Sequence, residues 1–269
     1  MICRTGKSDR YNDRFELQAN AIMPSTALYT DLSRYYDLMC ADINYREQSE
    51  HVRRLHQLFG NGGNEYLDIA CGTGPHIRHF IDFGYNANGV DINQPMLDIA
   101  QLRCPEARFF QQDMCALRVE SPLDLISCFL YSIHYNQSIA KLRECIVSVH
   151  AALKPGGMFC FNSVNKNLID NRPGIKRNLK QDDSDFCFQS NWHYPGEGEQ
   201  QQLQLCIEKI TNGQTEIWRD QHPMVALDFQ QMQLLLEPYF DVHIFEHNYL
   251  TILPWDKNSG NALFVGIKQ

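Results

Sequence analysis

Short apolar runs alternate with helical segments through the middle of the chain. The predicted strands are 65–70, 88–92, 108–112, 123–130 and 158–164. The predicted helices between them are 75–83, 95–102 and 138–152. Strands that alternate with helices of about ten to fifteen residues predict βαβ units and a parallel sheet.

Two more helices are predicted before the first strand. Residues 28–40 carry aromatic side chains on one helical face, and residues 45–59 repeat apolar side chains at three- and four-residue steps. Residues 1–22 are polar and show no clear period. We predict that they form a poorly ordered extension, with a helix packed on the domain as the alternative.

The pattern changes after the fifth strand. Residues 165–184 are polar and are predicted to be a loop. The next three segments alternate polar and apolar side chains, at 185–193, 202–210 and 214–226. Because Asn212-Gly213 is a strong hairpin signal, we predict a small antiparallel β insertion. The chain is predicted to close with a helix at 228–238 and strands at 240–246 and 261–267.

Composition narrows the function classes. The 269 residues are 43% hydrophobic and 21% charged, which is typical of a globular protein and excludes a collagen, a coiled coil or a mostly disordered chain. Lys and Arg total 24 against 32 Asp and Glu, a net charge of −8. A nucleic-acid partner held by phosphate neutralisation is therefore not expected. The sequence contains no run of about 18 uncharged apolar residues, so no membrane-spanning helix is predicted.

The ten cysteines are scattered along the chain. None lies in a Cys/His cluster with zinc spacing, so we predict no metal site. Several lie inside apolar runs, such as 125–130 and 158–161, and are expected to behave as small buried hydrophobes. The first residues lack the apolar core of an export signal, so scattered thiols predict a cytoplasmic protein.

A glycine turn joins the first strand to its helix. Gly72 and Gly74 lack a β-carbon, so the backbone can turn sharply and a ligand can approach main-chain N–H groups. A nicotinamide-binding turn would place a third glycine at Ile77, and a phosphate loop would end in Gly-Lys-Ser/Thr. This turn has neither feature. Instead Asp68 lies inside the strand, where its carboxylate can accept bonds from an ammonium group.

Two further acidic residues end the second and third strands. Asp91 can bind both hydroxyls of a ribose, with a helix-capping Asp as the alternative. Asp113 can accept a bond from an adenine amino group while Met114 packs on the ring. Because ligands of open α/β sheets bind at the carboxyl ends of the strands, these residues are expected to meet at one edge of the sheet.

Two motifs resemble the class I S-adenosylmethionine-dependent methyltransferases. Leu67-Asp-Ile-Ala-Cys-Gly-Thr-Gly74 fits the family's glycine motif, with Ala70 where many members have glycine. Leu153-Lys-Pro-Gly-Gly-Met-Phe159 fits the turn before the family's fifth strand. The resemblance runs from about Tyr35 to Val164. Within the family, sugar N-methyltransferases of antibiotic biosynthesis are similar at Tyr36-Asp37, at Ala70–Gly74, in the insertion at 185–226 and at Phe264-Val-Gly266.

The resemblance implies a fold and a cofactor. The implied fold is α/β, a Rossmann-like doubly wound seven-stranded sheet in the order 3-2-1-4-5-7-6 with strand 7 antiparallel and a small antiparallel β insertion before the last helix. The implied methyl donor is S-adenosylmethionine, with S-adenosylhomocysteine as product. The implied cofactor-binding residues are Tyr36, Tyr45, Asp68, Ala70, Gly72, Gly74, Asp91, Ile92, Met96, Asp113, Met114 and Phe129.

We also predict a division of the chain. Residues 23–164 and 227–269 form the cofactor-binding domain, with a helical lid at 28–60. Residues 165–226 form a loop and a β insertion that cap the acceptor.

The acceptor is expected beside the segment 129–135, which the resemblance places next to the transferred methyl group. His134 or Tyr135 would deprotonate or orient the acceptor, and a hydrogen-bonded loop histidine is the alternative. Candidates for lining the acceptor pocket from the insertion are Trp192, His193, Asp220 and His222.

The sequence therefore predicts a methyltransferase that acts on the nitrogen or oxygen nucleophile of a small molecule. We expect no nucleic-acid or membrane partner, and a monomer or homodimer. Two alternatives stay open. A nicotinamide-dependent oxidoreductase would need the missing third glycine, and a non-catalytic S-adenosylmethionine-binding protein would not need an intact acceptor side.

Overall fold

A computed structural model describes residues 27–30, 32–172, 174 and 176–269. The predicted extension at 1–22 lies outside the described residues. The described strands are β1 (Glu65–Ile69), β2 (Asn86–Asp91), β3 (Phe109–Gln111), β4 (Leu123–Cys128), β5 (Leu153–Val164), β6 (Lys176–Gln181), β7 (Ser184–His193), β8 (Gln200–Thr211), β9 (Gln214–Val225), β10 (Phe240–Glu246) and β11 (Asn261–Lys268).

Seven strands form one mixed sheet in the order β3-β2-β1-β4-β5-β11-β10. Strands β1 to β5 run parallel, and β11 runs antiparallel to both of its neighbours. The order and the antiparallel last strand confirm the predicted fold. All six residues of β4 are buried, because helices cover both faces of a parallel sheet and leave its central strands no exposed side.

The helices flank this sheet. They are α1 (Tyr36–Met39), α2 (Tyr45–Phe59), α3 (Pro75–Asp82), α4 (Gln94–Arg103), α5 (Ile139–Ala152) and α6 (Phe229–Leu236). Side chains of Asn44, Ser138 and Asp228 cap α2, α5 and α6 by accepting bonds from the first helical turn. None of the helices in the described part of the chain is long and apolar enough to cross a bilayer.

The helix predicted at 28–40 is wrong. The chain forms two short 3-10 turns there, at Ala27–Tyr29 and Ser33–Tyr35, followed by the single turn of α1. The aromatic residues are spaced in this way because the turns pack against a second sheet, formed by the insertion, and not because they form one face of a continuous helix. These turns and the other sheet share an apolar cluster that includes Leu28, Tyr35, Phe186 and Phe188, and the rings of Tyr35 and Phe186 lie 5.3 Å apart.

The insertion is a four-stranded antiparallel sheet in the order β6-β7-β8-β9. The prediction of a loop over 165–184 is wrong in its second half, where β6 pairs with β7 around the turn at Asp182 and Asp183. This edge strand reads Lys-Arg-Asn-Leu-Lys-Gln and is mostly exposed. An edge strand can be polar on both faces, so it lacks the alternation that reveals an inner strand.

The described cysteines are free thiols, and six of them are buried. Cys128 and Cys160 lie in β4 and β5 within the two cores that flank the sheet. The prediction that such residues act as small buried hydrophobes is confirmed.

Candidate functional site

A cavity of about 380 Å³ lies at the carboxyl ends of β1, β2 and β3. The N-terminal segment covers it through Tyr29 and Tyr36, and β9 closes it through His222. The predicted site residues that line it are Tyr36, Ala70, Gly72, Asp91, Ile92, Met96, Asp113, Met114 and Tyr135. Three others, Tyr45, Asp68 and Phe129, line a smaller adjoining cavity that shares Tyr36 and Ala70. Gly74 and His134 line neither cavity.

The two glycines of the turn have different structural roles. Both have positive φ, +54° at Gly72 and +76° at Gly74. A β-carbon at Gly72 would point toward the cavity and lie 3.7 Å from the Tyr36 ring. A β-carbon at Gly74 would instead lie 3.1 Å from Cβ of Ala100. Gly74 therefore allows α4 to pack closely on the turn, and its predicted contact with a cofactor is not supported by its position.

Ala70 also has positive φ, at +53°. A non-glycine residue in this region is strained, and a glycine at this position would adopt the same backbone conformation without strain. Residues with strained backbone conformations are often found at functional sites, where the surrounding contacts hold them in place. Leu130, which lines the cavity after β4, has a φ of +52° and shares this feature.

Asp91 connects the second strand to the glycine turn. Its Oδ2 accepts a bond of 2.9 Å from the Gly72 N–H, and its Oδ1 accepts one of 2.9 Å from the Asn93 N–H. Burial raises the pKa of this carboxyl, while the N–H bonds favour its charged form. Asn93, not Asp91, is the N-cap of α4, so the helix-capping alternative for Asp91 is wrong. The carboxylate lies in the cavity wall.

Asp113 and Met114 follow β3 at the same edge. The Asp113 side chain accepts a bond of 2.8 Å from the Cys115 N–H and caps the 3-10 turn Met114–Ala116. Both residues face the cavity, as do Ile92 and Met96 from the end of β2 and the start of α4. The side of the cavity formed by the ends of β2 and β3 therefore combines apolar side chains with one carboxylate at each strand end.

Asp68 is buried beneath the glycine turn at 2% exposure. Ser127 Oγ donates to its Oδ1 at 2.5 Å, and Tyr66 Oη lies 2.7 Å from the same serine oxygen. His76 Nδ1 lies 3.8 Å from Asp68 Oδ2. Burial raises the pKa of Asp68 to about 7 and lowers the pKa of His76 to about 3. Near neutral pH this carboxyl thus changes charge beside a neutral histidine.

A hydrogen-bonded chain forms the opposite wall of the cavity. Tyr29 Oη lies 2.5 Å from Tyr135 Oη, and Tyr135 Oη lies 2.5 Å from His222 Nδ1. His222 Nε2 lies 2.9 Å from Asp220 Oδ2. His222 is fully buried, and Asp220 is 8% exposed. Burial raises the pKa of both tyrosines, so both hydroxyls keep their protons near neutral pH.

His134 does not reach the cavity. It is fully buried and lies 2.8 Å from the Val225 carbonyl through Nδ1, while its Nε2 accepts from the Val164 N–H at 3.2 Å. Burial lowers its pKa to about 4, so it is neutral near pH 7. His134 therefore joins the turn after β4 to β5 and β9. The prediction of His134 in the acceptor site is wrong, because neighbouring residues in the turn Ser132–Asn136 point in different directions.

The histidine that does face the cavity is His222. Asp220 and His222 lie two residues apart on β9, so their side chains share one face of the strand. This i, i+2 pairing is the sequence signal that marks them. The other two insertion candidates are elsewhere: Trp192 lines a separate cavity with Tyr131, and His193 is half-buried at the end of β7.

The N-terminal segment is fixed over the site by charged contacts. Thr73 Oγ1 donates to Asp37 Oδ1 at 2.6 Å, and Arg103 donates to Asp37 Oδ2 at 2.5 Å. From the other side, Arg177 of β6 donates to the Leu38 and Met39 carbonyls. The segment thus contacts both the glycine turn and the insertion sheet.

Comparisons with known proteins agree with this architecture. Residues 67–157 match the family model described as a methyltransferase domain. The dTDP-3-amino-3,4,6-trideoxy-α-D-glucopyranose N,N-dimethyltransferase of Streptomyces venezuelae is 34% identical over 93 residues, 34% of this chain and 39% of that protein. The mRNA cap guanine-N(7) methyltransferase 1 of Oryza sativa subsp. japonica is 30% identical over 165 residues, 53% of this chain and 43% of that protein. The matches thus span less than half the length of these relatives.

Solved structures show the fold more completely. The crystal structure of Streptomyces venezuelae DesVI superposes with a TM-score of 0.76 at 21% identity, covering 89% of this chain and 99% of that chain. No comparison supports the oxidoreductase alternative, and the position of its third glycine is Ile77, fully buried in the core.

Proposed function

We propose that this chain is a class I S-adenosylmethionine-dependent methyltransferase that transfers a methyl group to a nitrogen or oxygen nucleophile of a small acceptor. One observation carries the proposal. A single cavity joins the glycine turn and its acidic strand ends to the Tyr135–His222 pair. A donor on one side and an acceptor on the other would therefore meet without leaving the cavity.

The residues on the donor side fit S-adenosylmethionine. Gly72 leaves a space that a β-carbon would fill, so a ligand can approach the turn closely. Asp91 would bind the ribose hydroxyls, and Asp113 with Met114 would hold the adenine. Asp68 would attract the ammonium group, and Tyr36 and Tyr45 would cover the cofactor from the lid. When bound, the cofactor supplies an electrophilic methyl group on a cationic sulfur.

The chain's own residues would accelerate the transfer by alignment and by excluding water. Tyr36 lies over the glycine turn, and Tyr135 lines the cavity, with its hydroxyl between Tyr29 Oη and His222 Nδ1. Holding a nucleophile in line with the methyl group at close range converts a bimolecular step into a unimolecular one. Closing the cavity also removes water, which favours the dispersal of sulfonium charge. Tyr135 would orient the acceptor.

The acceptor would be an amino sugar or a similar small amine. The Streptomyces relative is named for a dTDP-linked amino sugar, and the rice relative for an mRNA cap. The net charge of −8 disfavours an RNA acceptor, since phosphate contacts need basic side chains. The insertion, residues 165–226, would cap this acceptor. Free buried thiols favour a reducing, cytoplasmic setting, and light scattering would decide between a monomer and a homodimer.

Calorimetry and a radiolabelled methyl assay test the proposal. We expect S-adenosylmethionine and S-adenosylhomocysteine to bind, and NADH not to bind. We expect transfer to dTDP-3-amino-3,4,6-trideoxy-α-D-glucopyranose or another sugar amine in a panel that also contains a capped RNA and sugar alcohols. Absence of binding by both sulfur compounds would refute the proposal. Transfer to the RNA alone would refute the small-molecule part.

We expect Asp91→Ala to weaken binding of S-adenosylhomocysteine by about 1–3 kcal/mol, the cost of losing a charged hydrogen-bond acceptor. The carboxylate holds the Gly72 N–H and lies in the cavity wall. Asp98→Ala is the matched control, because it removes the same charge from an exposed position on α4. Equal affinity of the two variants in calorimetry would mean that Asp91 has no binding role.

We expect affinity for S-adenosylmethionine to rise between pH 5.5 and 7.5. Burial raises the pKa of Asp68 to about 7, so the carboxyl is mostly neutral at the lower pH and mostly charged at the upper one. Only the charged form attracts the ammonium group of the ligand, so binding strengthens as the proton leaves. In Asp68→Asn the dependence should flatten over this range. A parent protein whose calorimetric affinity is constant from pH 5.5 to 7.5 would contradict the assignment.

A further inference from the structure

The bonds along the cavity wall have a definite direction. A carboxylate only accepts hydrogen bonds, so Asp220 Oδ2 fixes the proton of His222 on Nε2. The Nδ1 of the same ring then presents a lone pair, and Tyr135 donates its hydroxyl proton to it. Tyr29 in turn donates to Tyr135 Oη. Every donor in this series of hydrogen bonds therefore points away from the N-terminal segment and toward Asp220.

We propose that Tyr135, His222 and Asp220 form a proton relay that accepts a proton from a protonated amine acceptor. This proposal rests on the proposed methyl transfer. It assigns His222 a function in place of the buried His134, and it adds that the amine acceptor binds in its protonated form.

The step conserves protons and electrons. An acceptor ammonium against Tyr135 Oη gives one proton to that oxygen, while Tyr135 gives its own hydroxyl proton to His222 Nδ1. One N–H bond of the acceptor breaks, one N–H bond forms on the imidazole, and Tyr135 remains a phenol. The electron pair released on the acceptor nitrogen is the pair that bonds to the methyl group. His222 returns its proton to water after the product leaves.

The surroundings of His222 suit a transient cation. Asp220 contacts its far nitrogen, and Asp220 Oδ1 is itself held by the Gln221 N–H at 2.9 Å. The rings of Tyr29 and Tyr135 lie 5.2 and 5.5 Å from the imidazole. The charged residues that line the same cavity are Asp91, Asp113 and Lys141, and Lys141 Nζ lies 2.6 Å from Glu144 Oε2 in an ion pair. Asp220 is the charged group in contact with the imidazole, and its carboxylate would stabilise a positive charge on it.

The same features favour an amine over an alcohol. Burial raises the pKa of Tyr135, so this residue passes a proton on rather than storing a negative charge. A protonated amine of the lysine type has a pKa of about 10.4, whereas the hydroxyl of an alcohol is a far weaker acid. An imidazole at the end of the relay is a sufficient base to accept a proton from a protonated amine, but a poor base for the proton of an alcohol.

Imidazole ¹⁵N NMR tests the direction of the relay without turnover. In protein labelled at histidine and saturated with S-adenosylhomocysteine, we expect the neutral His222 ring to carry its proton on Nε2. The signal is assigned by its loss in His222→Gln. Asp220→Asn should shift the tautomer balance toward Nδ1–H. A proton found on Nδ1 in the parent would overturn the proposal, because Tyr135 could then not donate to that nitrogen.

Kinetics test whether the relay is used. The probe is dTDP-3-amino-3,4,6-trideoxy-α-D-glucopyranose, or the panel amine that the parent methylates fastest. We expect His222→Gln to lower kcat by roughly 10²–10⁴-fold, the usual contribution of general acid–base catalysis, with Asp220→Asn as a second variant. The log of the residual rate should rise with pH at a slope of about 1, because the variant needs an amine that is already neutral. The parent's profile should be flatter.

His243→Gln is the matched control. His243 Nε2 lies 3.3 Å from Asp241 Oδ2, in another i, i+2 pair on β10, away from the cavity. It should keep the parent's kcat and pH profile, and all three variants should bind S-adenosylhomocysteine as the parent does. Equal kcat and equal pH slopes in His222→Gln and the parent would refute the relay. A parent that binds no S-adenosylmethionine would refute the proposed function instead, and the NMR result would still decide the geometry.

Discussion

Replacing Gly72 with valine is expected to abolish binding of S-adenosylmethionine while the protein stays folded. The new β-carbon would point into the cavity, 3.7 Å from the Tyr36 ring, and the two methyl groups would fill the space that the ligand needs. A β-branched residue at a φ of +54° also distorts the turn whose N–H is bound by Asp91. We expect calorimetry to show an affinity loss of more than about 100-fold, since both ligand contacts and cavity shape are lost.

Gly62→Val is the control that separates the loss of cofactor affinity from the loss of stability caused by a valine at positive φ. Gly62 has a φ of +75° and lies in an exposed turn where an added β-carbon meets nothing within 4 Å. Both variants should therefore lose about 1–2 kcal/mol of stability from the left-handed backbone. Only Gly72→Val should lose the cofactor. If the two folded variants bind S-adenosylhomocysteine equally well, the glycine turn is not the cofactor site.

Removing the N-terminal segment is expected to eliminate turnover while the seven-stranded sheet remains folded. Deletion of residues 1–40 removes Tyr29 and Tyr36 from the cavity and breaks the Asp37–Arg103 ion pair. It keeps Asn44, which caps α2, so that helix and the core below it should persist. The deletion opens the cavity to water and loosens the acceptor, and we expect kcat to fall by at least roughly 100-fold. Circular dichroism would confirm the fold.

Deletion of residues 1–22 is the control and should leave turnover unchanged. Hydrogen exchange on the parent gives an independent check of the same idea. With S-adenosylhomocysteine bound, amides at 28–46 and 185–226 should gain protection together with the glycine turn, because these segments pack against each other and against the site. Protection confined to the glycine turn would contradict the lid, and the acceptor pocket would then be built from the loops after β4 and β5.

The core fold was predictable because its signals are local. Each βα unit carries its own apolar run and its own turn, and the Asn212-Gly213 dipeptide marks one hairpin of the insertion. The errors lie where local signals are weak or mean something else. The polar edge strand β6 resembles a loop, and the aromatic residues at 28–40 face a neighbouring sheet instead of forming the face of one helix.

The acceptor side was harder to predict for a geometric reason. His134 and Tyr135 are adjacent in sequence, and only the path of the turn after β4 decides that Tyr135 faces the cavity while His134 faces the core. His222 lies 87 residues from Tyr135, and their hydrogen bond depends on how the insertion sheet docks over the domain. No spacing rule connects residues whose contact is created by such docking.

The sequence by itself determined the parallel sheet, the edge of that sheet where a ligand binds, and the acidic residues at that edge. These follow from the period of apolar residues and from the rule that parallel strands end together, so chain order fixes the placement. Only the tertiary structure decided that Gly74 packs on a helix, that the N-terminal segment joins the insertion, and that Asp220 and His222 reach Tyr135. Those contacts join segments that are distant in sequence, and they depend on how whole helices and sheets pack together. The local sequence pattern carries no information about that packing.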